Sequence, residues 1–312
     1  LEDIVVGDAQ LEQLLSALFA RGLLLERDEV QVRFSDNVHG NDSDVLPWLL
    51  RRAGLGRTAE FMKDGPHDRE LLVRILDSDL QHRGSVEDIA PGILTWRPHW
   101  TEVTEFRIKG DWGAFVTRRH GPKVGVGRLD AGIAAFVKGL NAAGAATRTS
   151  CAGRTYWTCK TRRHFRARPT ITFPGPYFTW WARKVFKLLQ IPGESEYHAE
   201  DSSQWLETNA NYAWKDGELA VQPPERTQPH SWLVPIARLI YGNRRRLRSI
   251  RQDVTARIDE TDEEVEQQLI RLEVALERTL NAKEFDLTTW EDRAEIDVHA
   301  WSRGQSELVQ SD

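Results

Sequence analysis

The sequence predicts an α+β protein: a central mixed or antiparallel sheet unit with packed helices, flanked by helical N- and C-terminal segments. Three observations support this prediction. Leucines at helical spacing dominate the beginning of the chain, strand-like alternation occupies the middle, and helical spacing returns in the last third. The chain has 312 residues, of which 40% are hydrophobic and 29% charged. It is therefore long enough to bury a core, and its composition is that of a globular protein.

Residues 1–98 are predicted to form a mainly helical N-terminal domain. The leucines within Ala9–Leu25 recur at helical spacing, and Val30–Phe34 alternates like a strand. This order also fits the end of a winged helix-turn-helix. Two further amphipathic helices are predicted at Leu46–Ala53 and Arg69–Leu80, and prolines then mark a boundary near residue 98.

Residues 99–192 are predicted to form a basic α+β domain. Val103–Lys109 and Trp112–Thr117 both alternate around the turn residues Gly110-Asp111, which predicts a β-hairpin. Four more elements are expected: a helix from Asp130 to Leu140, strands at Ala146–Ser150 and Thr170–Phe173, and a tryptophan-rich helix at Tyr177–Leu189.

Residues 193–312 are predicted to be an acidic loop region followed by a helical C-terminal segment. A hairpin is expected around Lys215-Asp216-Gly217, and helical spacing resumes at Ser231. Thr261–Glu264 reads as a capping box for a helix that reaches Leu280. Its expected apolar side consists of Val265, Leu269, Leu272, Val274 and Leu276. Such a helix is typical of a bundle or a homodimer interface, and it predicts a protein partner or a second copy of the chain.

Charge is distributed very unevenly along the chain. Between Glu105 and Lys187 stand seventeen Lys or Arg residues and three Asp or Glu residues, a net charge of +14. Because the whole chain carries −5, the remainder carries −19. This asymmetry predicts a surface for a polyanion.

Arginines and aromatic residues alternate within this basic segment. Guanidinium groups bind phosphates bidentately, and exposed rings stack on unpaired bases, so the pattern favours RNA or single-stranded DNA. The candidate nucleic-acid-binding residues are Arg148, Arg154, Tyr156, Trp157, Lys160, Arg162, Arg163, Arg166 and Arg168. Two alternatives remain open. The cations could pair with a partner protein or with acids within the chain, such as Glu194, Glu196, Glu200 and Asp201, or they could bind a small phosphorylated ligand.

One stretch resembles a known family. Asp130 precedes an amphipathic segment ending in Leu140-Asn141, and Thr147-Arg148-Thr149-Ser150-Cys151-Ala152-Gly153-Arg154 follows. This order is similar to the tRNA methyltransferase family of wybutosine synthesis, which reads Thr-x-Ser-Ser-Cys-Ser-Gly-Arg at this place. The likeness covers residues 129–154 and is specific at Ser150-Cys151-x-Gly153-Arg154; Thr149 and Ala152 replace serines. It implies a helix, a strand and a tight turn, and it implies S-adenosylmethionine as cofactor if the activity is shared.

Cys151 is the candidate catalytic residue. Nearby cations favour a thiolate, although a buried cysteine that closes a strand fits the same pattern. A zinc site would use Cys151, Cys159 and His164, with His120 or His198 completing the set. The paired Cys-x₂-Cys spacing of a structural zinc site does not occur.

Several function classes lack their sequence signals. No Walker loop, Gly-x-Gly-x-x-Gly or Gly-x-Ser-x-Gly motif occurs, and no apolar run is long enough for a membrane span. Two cysteines in 312 residues indicate a reducing compartment, so a cytoplasmic location is expected. The sequence thus predicts a nucleic-acid-binding protein. The alternatives are an RNA-modifying enzyme with the Ser-Cys-x-Gly-Arg turn at its active site, or a subunit of a prokaryotic ribonucleoprotein or defence assembly.

Overall fold

The computed structural model describes the following residues: 14–28, 31–34, 42, 45–46, 49–50, 59–63, 71–75, 108–122, 124–126, 129, 133–151, 155–157, 164–166, 170–191, 212–215, 218–221, 229–258 and 264–292. Within these ranges, residues 14–20 are helical and ten strands are present. The strands are β1 (Leu25–Asp28), β2 (Gln31–Phe34), β3 (Ala59–Lys63), β4 (Leu71–Ile75), β5 (Thr149–Cys151), β6 (Thr155–Trp157), β7 (His164–Arg166), β8 (Thr170–Thr172), β9 (Tyr212–Lys215) and β10 (Glu218–Val221). The helices with described ends are α1 (Trp112–Thr117), α2 (Ala134–Ala142), α3 (Pro176–Leu188), α4 (Pro229–Gly242), α5 (Arg244–Thr255) and α6 (Val265–Ala282).

The strands pair in an antiparallel manner throughout the described residues, which confirms the predicted α+β class. The N-terminal sheet has the order β1-β2-β4-β3, the central sheet has the order β5-β8-β10-β9, and β6 and β7 form a separate hairpin. In the central sheet Ile171 of β8 lies opposite Leu219 of β10. The strands of the central sheet therefore come from both sides of the predicted boundary near residue 192. The boundary near residue 98 falls outside the described residues.

Two predicted elements are wrong: one lies before the basic segment and the other near its beginning. The expected helix at Arg69–Leu80 contains the strand β4, in which Val73 pairs with Phe61 of β3. A short apolar run does not distinguish a helix from a buried strand, and here cross-strand pairing decides. The expected second hairpin strand at Trp112–Thr117 is the helix α1. Asp111 caps it, because its Oδ1 atom accepts a hydrogen bond from the Ala114 N–H at 2.8 Å.

The helices pack into one hydrophobic core. Helix α2 packs against α4, and α5 packs against α6. The α2–α4 contact is close at Gly139, where a β-carbon would lie 3.1 Å from the carbonyl oxygen of Ala237. Edge-to-face contacts of aromatic rings hold α1 on α3: the ring centroids are 5.4 Å apart for Trp112–Tyr177 and 5.3 Å for Phe115–Phe178.

Helix α6 begins later than predicted. Its first residue is Val265, and Glu264 occupies the N-cap position without a side-chain capping bond. Thr261, the expected cap, lies outside the described residues. The apolar side also differs from the prediction: Leu272 and Leu276 are buried, whereas Val265 and Val274 are exposed. Among the residues that the structure describes, no helix combines the length and the apolar character needed to cross a bilayer.

Candidate nucleic-acid interface

The fold divides the seventeen cations of the basic segment into different groups. Five are exposed: Lys109, Arg118, Arg119, Arg148 and Lys187. Three are tied into the protein or partly covered: Lys138 is buried, Lys184 pairs with Glu273, and Arg183 is half-buried. The other nine lie outside the described residues, or in the case of Arg166 within a strand whose path alone is described. The exposed five are the first candidates for contact with a polyanion.

Most of the aromatic residues that were expected to alternate with the arginines belong to the core. Tyr177, Phe178, Trp180 and Trp181 lie on α3 and are buried. The Trp181 Nε1–H donates to the carbonyl oxygen of Ala143 at 2.9 Å. Burial raises the pKa of Tyr177, whose hydroxyl donates to Gln268 of α6. These four rings fill the protein interior and do not offer faces for stacking on bases.

Arg148 stands immediately before the edge strand of the central sheet. Its backbone N–H donates to the carbonyl oxygen of Thr172 at 2.7 Å, and its side chain is exposed. The next residue, Thr149, donates its N–H to the Thr172 hydroxyl at 3.1 Å, and the two hydroxyls lie 2.5 Å apart. The sheet therefore fixes the backbone from which the Arg148 side chain extends into solvent.

Asn141, at the end of α2, organises the turn that leads to Arg148. Its Nδ2 group donates to the carbonyl oxygen of Val137 and to the Thr147 hydroxyl, both at 2.8 Å, and its Oδ1 atom accepts from the Thr147 N–H at 3.1 Å. Its backbone carbonyl accepts from the Gly121 N–H at 2.8 Å. Asn141 is buried, so these bonds occur where water cannot replace them.

The loop after α1 lies against this turn. A β-carbon on Gly121 would be 1.9 Å from the Oδ1 atom of Asn141, and one on Gly144 would be 3.2 Å from the carbonyl oxygen of Arg119. Gly144 also has a φ of +90°, which favours glycine. Two chain segments that carry exposed arginines thus meet here. We call these residues the arginine cluster: Arg118, Arg119 and Arg148.

Two members of the arginine cluster, Arg118 and Arg119, are accessible to an anionic ligand. Arg118 and Arg119 make no ion pair with any other residue that the structure describes. Like charges that share a surface repel one another, and an anion that binds between them removes this repulsion. The neighbouring His120 is half-buried, with its Nδ1 atom 2.9 Å from the carbonyl oxygen of Gly121.

A buried arginine supports the turn from the interior. The Nη1 group of Arg251, on α5, donates to the carbonyl oxygen of Gly144 at 2.5 Å, and its guanidinium lies 5.1 Å from the ring centroid of Phe115. Burial, and then the charge of Arg248, lowers the pKa of Arg251 from 12.5 to about 10. The guanidinium therefore stays charged at neutral pH and adds to the positive potential beneath the arginine cluster.

Lys138 has a structural role. Its ammonium group, on α2, forms a buried ion pair with Asp42, whose other carboxylate oxygen accepts from the Val126 N–H at 2.7 Å. Burial lowers the pKa of Lys138, while the Asp42 charge acts in the opposite direction. This cation of the basic segment cannot contact a ligand.

The β6–β7 hairpin carries the expected stacking residues. Tyr156 pairs with Phe165, and Trp157 pairs with His164. Adjacent positions of a strand belong to opposite faces, so Tyr156 and Trp157 occupy different faces of the hairpin. Arg166 pairs with Thr155. Five other predicted phosphate contacts lie outside the described residues: Arg154, Lys160, Arg162, Arg163 and Arg168.

Those candidate metal-ligating residues that the structure describes lie on separate elements. Cys151 ends β5 and pairs with Thr170, whereas His164 belongs to the β6–β7 hairpin. Cys159 lies outside the described residues, as do residues 152–154 of the turn that would hold a cofactor. Among the residues that the structure does describe, no cluster of three or more metal-ligating side chains occurs.

Sequence reasoning overlooked Arg118, Arg119 and the organising role of Asn141. Both arginines belong to the counted basic segment, but they follow the expected hairpin strand Trp112–Thr117 and are not among the predicted contact residues. The helix-capping Asp111 was the available signal for a helix that ends beside them. For Asn141, the signal was an asparagine at the end of an apolar helix, six residues before Thr147. Asparagine side chains readily form hydrogen bonds to nearby backbone groups.

Comparison with known proteins gives no relative from which a function can be transferred. No protein-family model matches the chain, and no curated protein or solved structure is significantly similar to it.

Proposed function

We propose that the protein binds nucleic acid, RNA or single-stranded DNA, with the arginine cluster as part of the contact surface. The observation that carries the proposal is that the two chain segments bearing the exposed Arg118, Arg119 and Arg148 meet at the buried, hydrogen-bonded Asn141 turn, inside a segment of net charge +14. The planar guanidinium group is preorganised to make two parallel hydrogen bonds to one phosphate.

The choice between single strands and duplexes depends on the β6–β7 hairpin. Since the rings of α3 are buried, Tyr156, Trp157 and Phe165 are the stacking candidates of the basic segment that remain. Stacking on such rings selects unpaired bases, whereas arginines alone bind the backbone of any nucleic acid. A preference for single strands therefore requires at least one of these rings.

Binding is tested by fluorescence anisotropy with a labelled single-stranded RNA, a DNA of the same sequence and the matching duplexes. The variant R118A/R119A is expected to lose roughly tenfold in affinity at low salt, because two phosphate contacts are removed. R246A is the matched control, since Arg246 is also an exposed arginine but pairs with Asp286 at 2.8 Å. An equal loss in both variants, or no binding by the unchanged protein, contradicts the proposal.

RNA modification is a second candidate function, favoured by one observation. The resemblance to the wybutosine methyltransferases implies a helix that is followed by a strand. Helix α2, which contains Asn141, and strand β5 occur in this order, and hydrogen bonds between Asn141 and Thr147 connect them. Calorimetric titration with S-adenosylmethionine tests it. Heat of binding with one site per chain supports a methyltransferase, and no heat at high protein concentration argues against it.

We infer a cytoplasmic location from the cysteine content. Two cysteines in 312 residues are too few for a disulfide-based fold and are typical of a reducing compartment. RNA is abundant there, which agrees with the proposed ligand.

A further inference from the structure

The outer face of α6 exposes hydrophobic side chains. Four large hydrophobic residues of the described chain are exposed, and three of them, Val265, Ile270 and Val274, lie on this helix. Ile270 is 52% exposed and Val274 42%. The opposite side of α6 packs against the protein through Leu272, Ala275 and Leu276, among others. Ile270 and Val274 are four residues apart and are therefore neighbours on the helix surface.

These two residues belong to a regular stripe with the spacing of a coiled coil. The stripe follows alternating steps of three and four residues, and every position in it is exposed: Gln267, Ile270, Val274, Glu277 and Asn281. In heptad terms Gln267, Val274 and Asn281 are a positions, and Ile270 and Glu277 are d positions. Val265 is a valine like Val274, but it lies outside the stripe, at an f position.

The charged residues beside the stripe are sorted by sign. Glu266 and Glu273 occupy the g positions on one flank, and Arg271 and Arg278 occupy the e positions on the other. Glu273 already binds Trp180 and Lys184 through Oε1, at 2.8 and 2.6 Å, while its side chain stays 43% exposed.

This sorting distinguishes the two possible orientations of a helix pair. In a parallel pair, a g residue faces the e residue five positions later on the other helix. Glu266 would then face Arg271, and Glu273 would face Arg278. In an antiparallel pair each flank faces its own copy, so acids would meet acids and arginines would meet arginines. The charge pattern is therefore complementary to a parallel second copy.

We propose that two copies of this chain associate through the outer face of α6, in parallel and in register. The partner is the same chain because the flanks are complementary to themselves under a twofold axis along the helix. Only two of the five stripe residues are apolar, so association is weak and depends on protein concentration. The proposal is independent of nucleic-acid binding.

The surface is tested by sedimentation of the full chain over a concentration series, with two matched substitutions. V274E is expected to raise the dimer Kd by roughly tenfold or to abolish association, since it places a charge on the stripe. V265E introduces the same charge at a position of similar exposure, 44%, and is expected to leave association unchanged. E277L is expected to strengthen it. The proposal is overturned if V274E and V265E behave alike, or if wild type and E277L both stay monomeric up to about 1 mM.

The orientation is tested by a charge swap. In the parallel arrangement, E266R sets two arginines against each other and weakens association roughly threefold, whereas E266R/R271E restores it. In an antiparallel arrangement E266R would instead strengthen association, because it places an arginine on an acidic flank. A strengthened E266R dimer therefore overturns the parallel arrangement, and a double variant that stays as weak as E266R does so as well.

Discussion

At the scale of single residues, Asn141 links the core to the candidate interface. Its buried side-chain amide joins α2 to the turn before β5 through three hydrogen bonds of 2.8–3.1 Å, and its backbone carbonyl accepts a hydrogen bond from the loop after α1. The arginine cluster stands at the surface of this arrangement, so its geometry depends on a residue that touches no ligand.

Replacing Asn141 by alanine is expected to destabilise the protein by about 2–3 kcal/mol, because the Thr147 N–H and hydroxyl lose their buried partner. Chemical denaturation measures the change. Asn281 is the control, since it is exposed on α6 and its replacement by alanine is expected to cost less than about 0.5 kcal/mol. Equal small effects at both positions would show that the turn does not depend on Asn141.

Two glycines allow the close packing of the loop to be tested with one chemical change. G121A is expected to destabilise by at least about 2 kcal/mol, because its β-carbon would lie 1.9 Å from the Oδ1 atom of Asn141. G113A, within the exposed side of α1, meets its nearest atom only at 3.8 Å and is expected to stabilise by about 0.5–1 kcal/mol. A thermal unfolding scan of both variants is sufficient, and the two shifts should have opposite signs.

At the scale of elements, the buried Lys138–Asp42 pair attaches α2 to the chain near residue 42. D42N alone is expected to cost about 3–5 kcal/mol, because it leaves the ammonium group buried without its counter-charge. D42N/K138M removes both charges and is expected to be markedly more stable than D42N. Denaturant titration of the three proteins decides, and a double variant less stable than D42N contradicts this role.

The burial of Lys138 in this pair predicts that the free energy of unfolding depends on pH. Because the pKa of Lys138 is lowered on folding, the unfolded chain binds more protons than the folded one between the folded pKa and the ordinary value of 10.5. The contribution of Lys138 to stability therefore rises with pH in that range. D42N is expected to extend the effect to lower pH, since Asp42 raises the pKa, and D42N/K138M is expected to lack it. Denaturation midpoints measured across this range test the sign.

Element by element, long periodic segments were predictable and short ones were not. Helix α3, helix α4 and the β9–β10 hairpin occur close to their predicted places, because many residues or a clear turn signal define each of them. Strand β4 was predicted to be helical and helix α1 to be a strand, because five or six residues contain too few periods to distinguish a helix from a strand. The candidate site was only partly predictable. The charge of the segment and Arg148 were evident, but the approach of Arg119 to Gly144 arises from tertiary packing.

At the scale of the whole molecule, the positive potential is concentrated while the net charge of the chain is −5. Buried Arg251 contacts Gly144 beneath the arginine cluster, and charges that lie within the Debye length, about 8 Å at physiological salt, reinforce one another. Association with a polyanion should therefore depend strongly on ionic strength, although the protein as a whole is an anion.

This whole-molecule effect is measurable as the slope of log Kobs against log salt concentration. The slope is about −0.7 for each phosphate neutralised on a single strand. The R118A/R119A variant is expected to reduce its magnitude by about 1.4, corresponding to two contacts, and R246A is expected to leave it unchanged. An unchanged slope in R118A/R119A would mean that other cations bind the phosphates.

The strand order of the central sheet has a consequence for synthesis of the chain. Strand β8 pairs on one side with β5 and on the other with β10, which begins 46 positions after β8 ends. On the ribosome, β8 therefore waits with one side unpaired until residues 218–221 have emerged. Unpaired strand edges are the surfaces through which nascent chains aggregate. The step that completes this sheet is thus a long-range closure, and it completes the sheet that holds Arg148.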